Sequence, residues 1–168
     1  MEPVQASVQK ERVYQPPTHG RQMRGKTILV VDDESAILSV LCETFQYWGC
    51  RVMRANNGKE GLEQLKTKHV DGIILDLDMP VMDGATMLDE LRWQSDCTPV
   101  ILISGGADVQ RMRMMQKEGA QGFLVKPFSV ETLRAECERC FVPDRKREPF
   151  DLTEVSAPQV AARHRVVA

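Results

Sequence analysis

Four short apolar runs in this chain end on side chains able to do chemistry. "TILVV" (27–31) leads into Asp32, Asp33 and Glu34, and "GIIL" (72–75) into Asp76, with Asp78 one residue beyond. "PVILIS" (99–104) ends on Ser104, ahead of Gly105 and Gly106, and "GFLV" (122–125) leads into Lys126 and Pro127. Two carboxylates about 4 Å apart repel by roughly 1 kcal/mol in water and about 4 kcal/mol at an effective dielectric near 20. Asp32, Asp33 and Asp76 brought together would cost several times that. A hard divalent cation with oxygen ligands relieves the repulsion. Mg²⁺ suits a site with few protein carboxylates, several waters and an incoming phosphate. Lysine adds a point charge, and a serine hydroxyl can donate to a phosphoryl oxygen. Phosphoryl transfer needs mainly positioning and charge neutralisation, and a carboxylate can itself be the nucleophile, giving an aspartyl phosphate.

Positioning such a set requires strands that all end at one rim, and the sequence predicts them. Apolar runs at 27–31, 50–55, 72–75, 99–104 and 122–125 alternate with helical patterns at 35–48, 58–68, 84–94, 108–119 and 129–141. Ile37, Leu38, Leu41, Thr44 and Phe45 share one face of the first helix, and Gly49 stops it. Ser129 is the expected N-cap of the last helix, which buries Val130, Leu133, Cys137 and Phe141. Unbroken apolar strands between helices are the pattern of a parallel sheet covered on both faces, an α/β doubly wound fold of five β–α units. Ligands of such sheets bind beyond the carboxyl ends of the strands, at the switch in strand order. The chemistry-bearing residues all sit at those ends.

The flanks read differently. Residues 1–25 are polar with scattered prolines, the expectation for a flexible arm. Residues 143–168 read as a flexible, linker-like tail with one short helix near its end. The domain between spans 26–142. The stretch 27–142 holds 12 of the 22 Lys and Arg and 18 of the 24 Asp and Glu. An acidic body is a poor nucleic-acid binder. No apolar run approaches the roughly 20 residues of a membrane span, no secretory signal is visible, and five cysteines with scattered spacing make no disulfide framework. The expectation is a cytoplasmic protein.

The segments "ILVVDDE", "IILDLDMPVMDG", "ILISG" and "GAQGFLVKPF" make residues 27 to about 141 resemble the receiver domain of two-component response regulators, including the stand-alone chemotaxis type. They come in the family's order and at its intervals: 43 residues from Asp33 to Asp76, 28 to Ser104 and 22 to Lys126. The resemblance implies a flavodoxin-like (βα)5 fold with strand order 2-1-3-4-5. It also implies that Asp76 is the phosphoacceptor. Asp33 would be a direct Mg²⁺ ligand, Asp32 an assisting one through a metal-bound water, and Asp78 would offer its backbone carbonyl to the metal. Ser104 would be the switch hydroxyl, Lys126 the neutraliser of phosphoryl charge, Phe123 the aromatic switch position, and Lys126–Pro127 a cis peptide bond. Implied partners are a histidine kinase or histidine phosphotransfer protein and a downstream protein on the helix 4–strand 5–helix 5 face. A homodimer on phosphorylation, and neither direct nucleic-acid nor membrane contact, complete the expectation. Ser replaces the commoner Thr at 104, and Gly105–Gly106 makes the next loop permissive. The Asp78 side chain flanks the phosphate site and could influence the hydrolytic water.

Other readings weigh less. Asp76 alone would pass for a solvated turn residue, and Asp32–Asp33 also suit the opening of a helix. "DLDMP" partly mimics the D-x-D signature of haloacid-dehalogenase-like phosphatases, but that family places its acidic metal pair after the lysine, and here Asp32–Asp33 comes first. A phosphorylation-independent scaffold would not need the full set of acids, hydroxyl and lysine. Cys137 and Cys140 form C-x-x-C on a helix, where zinc would need two more ligands that His19, His69 and His164 are not spaced to supply. They read as core thiols. Met112, Met114 and Met115 cannot all face inward, so at least one is expected on the surface. The stretch from 143 onward is too short for an ordinary helix-turn-helix domain, so no DNA-binding output domain is expected.

Overall fold

A computed structural model describes residues 22–106, 109–142 and 166–167. In chain order the elements are β1 (Thr27–Val31), α1 (Ser35–Tyr47), β2 (Arg51–Ala55), α2 (Gly58–Leu65), β3 (Gly72–Asp76) and α3 (Gly84–Trp93). They continue with β4 (Val100–Ser104), α4 (Val109–Lys117), β5 (Gly122–Val125), β6 (Phe128–Ser129), α5 (Val130–Phe141) and β7 (Val166–Val167). Five strands form one parallel sheet in the order β2-β1-β3-β4-β5, the doubly wound flavodoxin-like arrangement.

The two-residue period of a strand divides the core into two layers. Ile28, Val30, Ile74, Ile101, Ile103 and Leu124 face α1 and α5, meeting Leu41, Phe45, Leu133, Cys137 and Phe141. Leu29, Val31, Ile73, Leu75 and Leu102 face the opposite way, onto Met87, Leu88 and Leu91 of α3 and Met115 of α4. Every residue of β3 and β4 is buried. With apolar packing on both faces, these two central strands have one place for polar side chains, their carboxyl ends.

Several boundaries differ from the sequence reading. β3 includes Asp76, so the acid is the last strand residue and not the first loop residue. α2 ends at Leu65, with the turn over 66–68 closed by backbone bonds from Thr67 and Lys68 to Gln64. α1 begins at Ser35 with Glu34 in the N-cap position, no acid in its first turn and no side-chain cap bond. Asp32 and Asp33 therefore lie ahead of the helix and do not open it. Val130 on α5 is half-buried rather than buried. Ser129 caps α5, accepting a hydrogen bond from the Thr132 N–H at 3.1 Å. Of the three α4 methionines, Met112 and Met115 are buried and Met114 is exposed.

The packed unit also starts before residue 26. Met23 is fully buried against the α1–α5 layer, its carbonyl accepts from the Cys50 thiol at 3.2 Å, and Gly25 N–H donates to Gly49 O at 2.9 Å. Residues 1–21 of the expected arm, and 143–165 and 168 of the expected tail with its helix, lie outside the described residues. Val166 and Val167 are strand, paired antiparallel with Ser129 and Phe128. Among the described residues no helix is long and apolar enough to cross a membrane.

Candidate functional site

The rim at the carboxyl ends of β1, β3, β4 and β5 gathers the residues singled out above. Asp76 is almost fully buried, at 4% exposure. Its Oδ1 lies 2.9 Å from Lys126 Nζ, and its Oδ2 accepts the Asp78 backbone N–H at 2.9 Å. The Asp76 backbone is pinned from behind: a Cβ on Gly84 would overlap its carbonyl oxygen, so position 84 tolerates no side chain without displacing the strand end.

Lys126 follows β5, where its own N–H donates to Ser104 O at 2.8 Å, and the Lys126–Pro127 peptide bond is cis. Its ammonium sits among three carboxylates: Asp76, Asp32 Oδ2 at 3.2 Å and Glu34 Oε1 at 3.6 Å. Burial works against the ammonium. The hydrogen bond to Asp76 and the charges of Asp32 and Asp76 outweigh it, holding the lysine above its ordinary range and firmly protonated. Asp32 is 1% exposed and accepts the Glu34 N–H on Oδ1 at 2.8 Å. Burial raises its carboxyl above the usual range, with the Asp76 charge adding to the rise. The Glu34 N–H and Lys126 oppose both without cancelling them. The pocket thus carries more negative charge than its lysine balances.

Ser104 ends β4, buried, beside Asp76 in the sheet through the Asp76–Ile103 register. Its Oγ exchanges 3.2 Å hydrogen bonds with the carbonyl and N–H of Gly106, so the hydroxyl is engaged with its own loop. Asp33, the second residue after β1, is exposed. Phe123, half-buried on β5, packs against the α3–α4 side of the sheet, and its N–H donates to Glu136 Oε1 at 3.1 Å.

The oxygen-only donors at this rim suit a hard cation, and the uncompensated acidity would be relieved by one. Among the described residues no three His, Cys, Asp or Glu side chains form a ready metal cage. Two participants carried no assigned role in the sequence reading. Glu34 pairs with Lys126. Arg111 of α4 reaches across to Asp78, Nη1 to Oδ1 at 2.8 Å. Glu34 shares the position after the first apolar run with Asp32 and Asp33, but neither pairing has a signal in the linear pattern, because each partner is supplied by another element.

The Cys137 thiol is fully buried, and burial drives its pKa well up. Burial likewise pushes Cys140 up to about 12, and its thiol donates to Gln121 O at 3.3 Å.

Comparison with known proteins places this geometry in context. Residues 28–138 match the family model of the response regulator receiver domain. A probable transcriptional regulator ycf27 from Porphyridium aerugineum is 37% identical over 113 residues, covering 67% of this chain and 47% of that protein. The regulatory protein AtoC of Escherichia coli K12 is 35% identical over 112 residues, covering 67% of this chain and 24% of its own length. The chain therefore matches less than half the length of these curated relatives. Among solved structures, the chemotaxis response regulator CheY4 of Vibrio cholerae superposes with a TM-score of 0.66 at 33% identity, covering 69% of this chain and 98% of CheY4. The Francisella response regulator 1452 receiver domain gives 0.64 at 33% identity, covering 66% and 92%.

Proposed function

The chain belongs to the response regulator receiver family of two-component systems, and from that premise we propose that it accepts a phosphoryl group from a phosphohistidine onto Asp76, with Mg²⁺, and thereby switches a protein-interaction surface. The observation that carries this reading is the placement of Lys126 Nζ 2.9 Å from Asp76 and 3.2 Å from Asp32, on a rim shared with Ser104. Asp33, Asp76 and the Asp78 backbone carbonyl would hold the ion directly, and Asp32 would assist through a bound water. When bound, Mg²⁺ neutralises charge on the phosphoryl oxygens and on the carboxylates facing them.

An Asp76 carboxylate oxygen attacks phosphorus in line with the donor nitrogen. The O–P bond forms as the P–N bond breaks, and the electron pair of that bond stays on the imidazole, which carries a proton on its other nitrogen and so leaves as a neutral ring. Lys126 holds the reactive carboxylate in place before transfer and balances a phosphoryl oxygen after it. Ser104 exchanges its Gly106 partners for a phosphoryl oxygen, drawing the permissive Gly105–Gly106 loop inward. Phe123 and α4 respond, and the face made by α4, β5 and α5 changes. Met114, 58% exposed on α4, gives that face an adaptable apolar contact for a downstream protein or a second copy of the chain. The phosphodonor would be a histidine kinase or a histidine phosphotransfer protein.

Incubation with acetyl phosphate and Mg²⁺ tests the chemistry, read by intact mass. The wild type should gain one phosphoryl group and Asp76→Asn none. Equal gain in both would remove Asp76 as the acceptor.

A further inference from the structure

The two ends of α4 are held by different parts of the molecule. At its carboxyl end the chain turns through Gly119, in the left-handed region with φ +102°, and the Gly119 carbonyl accepts three hydrogen bonds. Arg92 of α3 supplies two of them, from Nη2 at 2.8 Å and Nε at 3.2 Å, and Gln121 Nε2 supplies the third at 2.8 Å. The same guanidinium donates to the carbonyls of Asp96 and Thr98, on the approach to β4. Gln121 then holds the first residue of β4. Its Oε1 accepts the Val100 N–H at 2.7 Å, and its own N–H donates to Val100 O at 2.9 Å. One arginine therefore ties the end of α3, the entry to β4 and the corner between α4 and β5. A planar guanidinium presents a fixed fork of donors to several carbonyls at once, which a lysine ammonium does not. The fit is close: a Cβ on Gly119 would lie 2.8 Å from Arg92 Nε.

The amino end of α4 is coupled to the acceptor site instead. It is reached through Gly105 and Gly106, where a Cβ would meet nothing within 4 Å, and Gly106 is bonded through both N–H and carbonyl to Ser104 Oγ. Arg111 joins this half of the helix to Asp78, two residues after the acceptor. We propose that Arg92 is the fulcrum of the switch. It fixes the carboxyl end of α4 to α3 and β4, so the change of partner at Ser104 moves the loop after β4 and the first turn of α4 alone. Met115, within a turn of Gly119, stays seated beside the fulcrum, while Met112 lies further along the lever. β5 keeps its register on β4, and the altered surface is confined to the amino half of α4. Arg92 is a positioning residue: it acts through the backbone of the corner and not on the phosphoryl group.

This inference rests on Asp76 being the acceptor and Ser104 the switch hydroxyl. The probe is beryllofluoride with Mg²⁺, a phosphoryl mimic whose binding to the full chain is counted by fluorine NMR. Amide hydrogen exchange maps the response. The N–H groups of Gly119, Ala120 and Gln121 are bonded to the carbonyls of Gln116, Met115 and Val100, so their exchange reports on the corner. In the wild type, beryllofluoride should change exchange several-fold at Gly106 and over 109–112 and leave 119–121 as it was. In Arg92→Gln the response should spread to 119–121, with Arg92→Lys between the two. An arginine that only stabilises the fold would, when replaced, raise exchange at the corner by the same factor with and without the probe. That result would overturn the fulcrum. So would a wild-type response at 119–121 as large as that at 109–112, or bound beryllofluoride that changes nothing at 109–112, and both are read without any variant. A wild type that binds no beryllofluoride and gains no phosphoryl mass would overturn the acceptor reading and this inference together.

Discussion

At the residue scale the site is a problem of charge placement. Lys126, with its side chain 12% exposed, is what makes burial of both Asp32 and Asp76 tolerable. Removing one partner of a buried pair leaves the other uncompensated, at a cost of about 3–5 kcal/mol. Lys126→Met should therefore lower stability by about that much in urea unfolding without Mg²⁺, with a smaller deficit once Mg²⁺ takes up part of the negative charge. A deficit untouched by Mg²⁺ would mean that no ion reaches these carboxylates. The identities of Asp32, Asp76, Ser104 and Lys126 were legible in the sequence because each follows an apolar run, and a buried parallel strand has no other outlet for a polar side chain. Glu34 and Arg111 were not legible as partners. Their roles depend on a lysine 92 residues away and an aspartate 33 residues away, and no local pattern encodes either distance.

At the element scale, the short loop between β3 and α3 holds the acceptor steady. Asp83 is the N-cap of α3 and accepts the Thr86 N–H at 2.8 Å. That bond, chiefly, holds its carboxyl below the usual carboxylate range, against some loss of solvation. A lowered folded-state pKa means stability that is full above the unfolded value near 3.8 and lost as pH falls through the folded value. Asp83→Ala should cost about 1 kcal/mol near neutral pH. The gap to wild type should narrow below about pH 4 in acid-titrated unfolding, and a gap constant down to pH 2 would contradict the charged cap. Helix positions were legible here from periodicity and capping residues, whereas exact ends were not. α2 stops at Leu65 because the chain tightens into a turn whose bonds return to Gln64, a choice that helix propensity over 58–68 does not reveal.

At the scale of the whole molecule, the alternation of strand and helix dictated the doubly wound sheet, and the two-residue period within β1 separated its two core layers. The unit's edge was harder to read. Met23 sits in a polar stretch with no periodic neighbours, yet it is fully buried against the layer built by α1 and α5. Its burial is set by residues such as Phe45 and Trp48, which a local window around 23 does not contain. Met23→Ala should destabilise the protein by about 2–5 kcal/mol, the cost of emptying a buried methionine site. A loss under 0.5 kcal/mol by urea titration would put residues 22–25 outside the cooperative unit. The pairing of Val166–Val167 with Phe128–Ser129 is similarly non-local: a two-residue strand has no period to detect, and its partner follows directly on Lys126–Pro127.

All three scales converge on one carboxylate. Borohydride reduces an acyl phosphate to the alcohol, so phosphorylated aspartate is recovered as homoserine. After treatment of the full chain with acetyl phosphate and Mg²⁺, followed by reduction and peptide sequencing by mass spectrometry, homoserine should appear at position 76 and at no other aspartate. Homoserine at Asp32, Asp33 or Asp78, or none at position 76, would contradict the account.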